Sequence, residues 1–482
     1  MLLLVCALLP LVLGAALPGL HIRRRGARMA YVLLSTCLTS ALALYLIVNG
    51  GGERIEIFHL TDTLTCTLTL DGAGKVYLAL AAVLWPLAVL YAIDYMKHEK
   101  REGHFFTWYT MTYGAAVLLA FAQNLFTLYI AYEFLTLFTL PLVWHELDKE
   151  SIRAVRIYML FLFSGAALGF VALVGFATLG AGAFTLGGTI TENGSQWVRV
   201  FCLLGFVGFG AKAAVLPLTR WLPTASVAPT PVTALLHAVA VVNAGVFAVM
   251  RVLYYVVSPA LIRGTWAQGV MLALSTATVL YGAARAVRET HLKRRLAWST
   301  VSNLSYMLLG LSLLTEHGMA AGLSHMVFHG LMKIVLFFCA GSILVQTGRT
   351  SVRTLHGLGK FLPLTFGAYV LAGASLMGVP PMPGFVSKYA LVTAAFEEGG
   401  ALAIAGAVSL LVAAVLTAVY IFTVVFPAFF MKPVLAEGET FQEGGWCMRL
   451  ALVLLSALVV LAGVHAGRIM GALYTLAGGG GL

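Results

Sequence analysis

The sequence predicts an all-α membrane protein that crosses the bilayer many times. Of its 482 residues, 60% are hydrophobic and only 10% are charged, with a mean hydropathy of +0.94. Soluble domains carry about 25% charge, so this chain lacks the polar groups to cover its own surface. The apolar residues also fall into runs near the ~20 residues that a helix needs to cross the hydrocarbon core. Finally, the charges gather between these runs, and they do so on alternate sides.

In chain order the runs lie near residues 2–20, 30–48, 75–95, 106–121, 124–144, 154–180, 199–220, 231–256, 266–286, 296–314, 319–346, 363–396, 402–430 and 449–475, fourteen in all. The first, MLLLVCALLPLVLGAALPGL, reads as a span and not a cleaved signal. The basic residues of HIRRRGAR follow its apolar core, whereas a signal peptide carries them in front. Between runs two and three, IEIFHLTDTLTCTLTLDG alternates like a short hairpin. With HIRRRGAR inside, the same side receives KHEKR, DKESIRAVR, RAVRETHLKRR and GRTSVRTLHGLGK. That side holds 21 Lys and Arg, the other holds 6, and 3 lie within spans. The positive-inside rule then puts both termini outside a bacterial or archaeal cell membrane. A basic face beside anionic lipid accounts for the net charge of +11 without nucleic acid.

Two spans are interrupted. Pro217 stands within FGAKAAVLPLTRWLP of the seventh, and Pro380 and Pro381 within GASLMGVPPMPGFVSK of the twelfth. Proline removes a backbone donor and clashes with the preceding turn. Backbone freed in this way has to line protein or water, not lipid. Interruptions five spans apart predict two inverted five-helix repeats. The chain then divides into helices 1–3 with the hairpin (residues 1–104), a first repeat (105–256), a second repeat (257–430) and a last helix (431–482).

Few ionisable groups fall inside the spans: Glu133, Lys212, His237, His325, His329, Lys333 and Lys388. A charge in mid-membrane costs between about 2.5 and 17 kcal/mol, so such groups are paired, neutral or hydrated. Each has a plain reading beside the chemical one. Glu133 is a protonated carboxyl in a helix contact or the partner of a lysine, with Lys212 preferred. Lys212 and Lys388 stand beside the breaks, where an ammonium can donate to freed carbonyls, carry a proton, or do both. His237 reads as well as a core histidine as a relay, although its ordinary pKa near 6.5 suits proton exchange.

In HMVFHGLMK, His325, His329 and Lys333 recur every four residues, a spacing that stacks them on one helix face over about 12 Å. His-x3-His is a workable metal pair. The lysine next in the stripe opposes a bound cation, so a proton relay fits better. The six cysteines are scattered singly and give no support to iron–sulfur or zinc ligation. No metal or other cofactor is expected in this chain.

Several blocks are more specific than hydrophobicity: YIAYEFLTL around Glu133, GFGAKAAVLPLTRWLPTASVAPTPVTALLHA, HLKRRLAWSTVSNLSYMLLG, HMVFHGLMKIVLFFCAGSI, TLHGLGKFLP and MGVPPMPGFVSKYAL. Over about residues 90–400 they resemble, in the same order, the antiporter-like proton-translocating subunits of respiratory complex I, Mrp-type cation/proton antiporters and membrane-bound hydrogenases. The resemblance implies fourteen core helices, two inverted repeats and two broken helices. It also implies roles. Glu133 and Lys212 would form a glutamate–lysine pair, and His237 would link the halves. His329 and Lys333 would be the central relay, Lys388 the exit-side group, and His325 a further histidine of some members. Asn243 stands where some members carry lysine, which shifts transfer through span eight onto His237 and water. Only LAGGGGL follows the last span, so the resemblance is to compact members without a lateral helix.

The expected function is therefore proton translocation within a redox-driven complex, with the redox chemistry in other subunits. The expected partners are other membrane subunits, related antiporter-like ones among them, together with peripheral redox subunits, the lipid bilayer and protons, with Na⁺ elsewhere in the complex. A subunit of an Mrp-type Na⁺/H⁺ antiporter and the membrane half of an inorganic-carbon uptake module are the alternatives. A bare scaffold fits poorly with five spans that carry buried ionisable groups.

Overall fold

The computed structural model describes residues 1–50, 52–61, 64–192, 195–433 and 439–479. Its helices are α1 (Leu2–Ala16), α2 (Arg25–Asn49), α3 (Gly72–Tyr95), α4 (Glu102–Ala120), α5 (Leu125–Val143), α6 (Lys149–Thr178), α7 (Gln196–Gly210), α8 (Trp221–Thr224), α9 (Thr230–Ala238) and α10 (Val241–Arg251). They continue as α11 (Pro259–Ile262), α12 (Trp266–Arg288), α13 (Leu292–Ser312), α14 (Glu316–Thr347), α15 (Pro363–Met377), α16 (Pro383–Glu398), α17 (Ala401–Phe430), α18 (Trp446–Val464) and α19 (Ala466–Leu476). Among the described residues, nine helical stretches are long and apolar enough to cross a membrane; α1, α7 and α15 are apolar but shorter. The expected hairpin is present, as β1 (Ile55–His59) antiparallel to β2 (Thr65–Leu68) with Ile55 opposite Leu68. Its tip, Asp62 and Thr63, lies outside the described residues, as do the last three residues of LAGGGGL.

Local chemistry sets where the helices start. Asp71, Asn124, Asp148 and Thr315 stand immediately before α3, α5, α6 and α14, and each side chain accepts from a backbone N–H three residues on. This satisfies a donor that the first helical turn leaves open. Packing then sorts the helices. All of the apolar window in residues 230–256 is buried, and 89% of that in α14, against 39% in α2, α6 and α17. The first two form the centre, and the other three face outward. α14 is the hub, in contact with α3, α9, α13, α15, α16, α18 and α19.

The chain departs from helix where the prolines predict it. Residues 211–220 separate α7 from α8 and contain the cis peptide Leu216–Pro217, and residues 378–382 separate α15 from α16 and contain cis Pro380–Pro381. A third interruption differs from the sequence expectation of one continuous span at 231–256. α9 stops at Ala238 and α10 starts at Val241, with no proline or glycine between them. Side chains replace the lost backbone bonds. Tyr77 Oη of α3 donates to Ala240 O (3.1 Å), and Asn243 Nδ2 donates to Ala238 O (2.7 Å). The last run also divides, at His465, into α18 and α19.

Candidate functional site

The ionisable residues read from the sequence fall into two groups. The first lies between α5 and the break after α7. Glu133 is half-buried in the middle of α5, and its Oε1 has no hydrogen-bond partner. Lys212 is fully buried two residues past the end of α7. Their charges act on each other, but they make no direct ion pair. Instead Lys212 Nζ donates to Tyr132 O and lies 3.4 Å from the centroid of the Tyr132 ring, a cation–π contact. Tyr132 Oη in turn donates to Phe209 O (2.9 Å), and Trp221 Nε1 donates to Ala211 O (2.8 Å). The carbonyls at the break are thus taken up by backbone N–H groups of its tight turns, with these two aromatic donors beside them, and Lys212 Nζ is not needed to satisfy them. Only glycine fits at 245 in α10, because a Cβ there would approach Ala213 N to 2.6 Å.

The second group joins α9, α13, α14 and α16. His237, His325, His329 and Lys333 are fully buried, and Lys388 nearly so. His325 Nε2 lies 3.1 Å from Asn303 Oδ1, and its Nδ1 lies 2.9 Å from Ser387 Oγ. Asn303 Nδ2 donates to Ser299 O, which fixes Oδ1 as an acceptor and Nε2 as a donor. Ser387 can donate to a neutral His325, or turn toward Pro383 O and Gly384 O, each 3.4 Å away, when Nδ1 carries a proton. The site therefore accommodates both charge states of this imidazole. Lys333 Nζ donates to Leu296 O (3.1 Å) and to Ser299 Oγ, while Lys388 Nζ donates to Leu376 O (2.6 Å) and Met377 O (3.2 Å) at the second proline break.

The rings of His325 and His329 are 6.0 Å apart, and neither ring nitrogen of His329 or of His237 has a hydrogen-bond partner. His237, His325 and Lys388 all lie within electrostatic reach of His329 and Lys333. No direct contact joins Lys212 to His237 among the described residues. Asn243, fully buried with its Oδ1 unpartnered, is on the same helix as Gly245 and bonds to the residue after His237.

Two features escaped the sequence reading. Arg251 is wholly buried near the end of α10 and makes a bidentate pair with Asp71 (2.5 and 2.6 Å), while the rings of Phe184, Phe247 and Tyr255 lie 4.5–4.9 Å from its guanidinium carbon. Burial opposes ionisation of Asp71, but Arg251 together with the Gly74 N–H outweighs it and holds the carboxyl below its usual range. The second feature is a pocket of about 310 Å³ lined by Glu146, Asp148, Glu150, His291 and Lys293. Burial, then the carboxyl of Glu99, pushes Glu146 up; burial, then Arg294 and Lys293, pushes His291 down to about 4. From this pocket Lys293 Nζ donates to Ala228 O (3.0 Å), which also accepts from Thr233 Oγ1 (3.1 Å), one helical turn before His237. Acidic residues flanking a buried lysine were the available signal, but in the sequence they read as ordinary loop charge.

Residues 122–417 match the family described as NADH:quinone oxidoreductase/Mrp antiporter, TM. The chain belongs to this family. It is a multi-pass integral membrane protein, an antiporter-like subunit of the kind found in complex I, Mrp antiporters and related complexes. It is 29% identical over 482 residues to NAD(P)H-quinone oxidoreductase subunit 5 of the Paulinella chromatophora chromatophore, which covers 90% of this chain and 71% of that protein. A chain of respiratory complex I from Thermus thermophilus shares its fold with a TM-score of 0.84 at 24% identity, covering 99% of this chain and 98% of that one. A chain of the archaeal membrane-bound sulfane sulfur reductase also gives 0.84, at 23% identity, covering 99% and 96%. Both are chains of multisubunit membrane complexes.

Proposed function

We propose that this antiporter-like subunit translocates protons within a multisubunit, redox-driven complex, along the row Glu133–Lys212–His237–His329/Lys333–Lys388, with His325 beside it. The reading takes the helices as fourteen spans, with inverted repeats over residues 105–256 and 257–430 and both termini extracytoplasmic. The observation that carries it is the α13–α14–α16 cluster. Two lysines and two histidines are buried there with no carboxylate; neutral groups that serve either protonation state hold His325 and both lysines, and the His329 ring nitrogens are unpartnered.

Coulomb coupling between neighbouring charges about 4–8 Å apart is about 2–4 kcal/mol at an effective dielectric of 20. That is enough to change the protonation of the next group in the row by one to three pKa units. Protons enter from the Glu146/Lys293 pocket by way of Thr233, and reach His237 at the third interruption. Between Lys212 and His237 they cross beside Asn243 with the help of water. The chain carries no redox chemistry; its partners bias the row electrostatically from the half-exposed Glu133 end.

The test is proton uptake by vesicles that hold the purified complex. Lys333→Ala is expected to abolish pumping while the complex still assembles, and unchanged transport would overturn the assignment. The family description also includes Mrp antiporters, which gives a second reading. Sodium-dependent pH changes in vesicles without a redox donor would favour that reading over the first.

A further inference from the structure

On the face that bears the basic loops, the ends of α6, α8, α12 and α13 enclose a groove of about 530 Å³. Four arginines line it, Arg153, Arg220, Arg285 and Arg294, against two carboxylates, Glu150 and Glu289. The balance within the groove is therefore two positive charges. Arg294 lies 4.0 Å from Glu289, and Arg285 stacks 4.9 Å over the Trp298 ring. Arg153 and Arg220 are exposed, and neither guanidinium has an acceptor among the described residues.

The groove also has a depth. Tyr281 and Trp298, edge to face at 5.6 Å, form part of its wall, and Ile157 lines it one turn after Arg153 on α6. One turn further along α6, Leu160 is 65% exposed. Amphipathic aromatics at a helix end and bare apolar surface beyond mark the boundary between headgroup and hydrocarbon. A guanidinium fork matches phosphate oxygens two at a time, and basic pockets between membrane helices suit anionic headgroups.

We infer that this groove binds the phosphate of an anionic phospholipid, with Arg153 and Arg220 as the principal ligands and the acyl chains lying along α6. A soluble phosphate would satisfy the arginines equally, but it would leave the Leu160 surface bare. The site is independent of the proton row, so it stands or falls separately from the proposed function. It does touch the row's surroundings: Arg220 closes the interrupted segment that starts beside Lys212, and Glu150 and Arg294 also line the Glu146/Lys293 pocket.

The experiment places the full chain in nanodiscs of phosphatidylcholine with one-fifth phosphatidylglycerol. Quenching of Trp298 fluorescence by brominated phosphatidylglycerol is compared with quenching by brominated phosphatidylcholine, and Trp298→Phe supplies the background. Preferential quenching by the anionic lipid is expected. At about 1 kcal/mol per arginine near the surface, the preference falls about fivefold in Arg153→Gln and about twenty-five-fold in Arg153→Gln/Arg220→Gln. Neither guanidinium has an acceptor among the described residues, so the variants are expected to fold; Arg353→Gln, on the same face but outside the groove, keeps the wild-type preference. Equal quenching by the two lipids would overturn the proposal. So would loss of the preference on adding millimolar inorganic phosphate at constant ionic strength, which would make this a soluble-anion site. An unchanged preference in the double variant would also overturn it.

Discussion

The two ionisable groups differ in their charge and in their exposure. Around Lys212 there is one carboxylate, Glu133, half-exposed on the outward side of α5, and the lysine rests on an aromatic ring and a carbonyl instead of on that carboxylate. In the α13–α14–α16 cluster no carboxylate is present, every ionisable group is buried, and serines, an asparagine and helix-end carbonyls do the holding. On the proposed function, the first arrangement is the one through which a neighbour's charge pulls the pair together or apart. The second is insulated, so only the arrival or departure of a proton changes its charge. Arg251–Asp71 supplies the contrasting case, a buried cation with a bonded counter-charge and no slack.

Removing each acid separates a structural pair from a mobile one. Asp71→Asn leaves Arg251 buried without its counter-charge and is expected to cost roughly 3 kcal/mol of stability at pH 7. Because the folded Asp71 carboxyl is held low, that contribution is present above the ordinary aspartate value near 3.9 and fades as pH falls below it, so the deficit of the variant shrinks toward pH 3. Thermal unfolding in detergent at both pH values checks this. Glu133→Gln, by contrast, is expected to change stability by less than about 1 kcal/mol, since no bonded partner is lost, while slowing proton transport severalfold. Equal stability losses in the two variants would erase the distinction.

Within the insulated cluster, Ser299→Ala takes away one of the two acceptors on Lys333 and is expected to cost about 1–2 kcal/mol, with transport reduced. In the Glu133/Lys212 group, Tyr132→Leu removes the ring beneath Lys212, worth about 0.5–2 kcal/mol. Tyr132→Phe keeps the ring but loses the bond to Phe209 O. If the ring is what holds Lys212 away from Glu133, Leu changes the pH profile of transport and Phe does not.

A further expected effect lies outside the spans. Burial pushes His145 and His291 down to about 4, so the folded chain keeps them neutral while the unfolded chain protonates near 6.5. Their contribution is complete above pH 6.5 and is lost as pH falls toward 4. It amounts to roughly 1 kcal/mol per histidine by pH 5 after discounting for solvent screening. A midpoint of thermal unfolding that does not fall from pH 7 to pH 5 would contradict it.

The sequence carried the class of the fold because bilayer thickness and loop charge leave a direct trace in composition. The two proline-marked breaks were legible for the same kind of reason, since proline cannot continue a helix unnoticed. The third break was not. Val239 and Ala240 are ordinary helix residues, and what replaces their backbone bonds is Tyr77 from a helix more than 160 residues earlier. The stripe of His325, His329 and Lys333 could be read from its four-residue spacing, but its supporting set could not. Ser299, Asn303 and Ser387 look like the many other hydroxyl and amide residues of apolar helices until α13 and α16 are placed against α14. Arg251 was passed over because it falls close enough to a span end to read as loop charge.

The close approaches at Gly245 and Gly330 bear on how such a molecule can move. A Cβ at Gly330 would meet Ala238 O at 2.8 Å, just after His237, as one at Gly245 would meet the backbone beside Lys212. At these two points neighbouring backbones touch with no side chain between them, and close-packed interiors yield little. Helices this tightly seated cannot slide or tilt past one another without breaking several contacts at once. On the proposed function, the parts left free to rearrange are hydroxyls that rotate, imidazoles that flip and lysine stems that swing. The scaffold acts as a stator, against which only light parts turn.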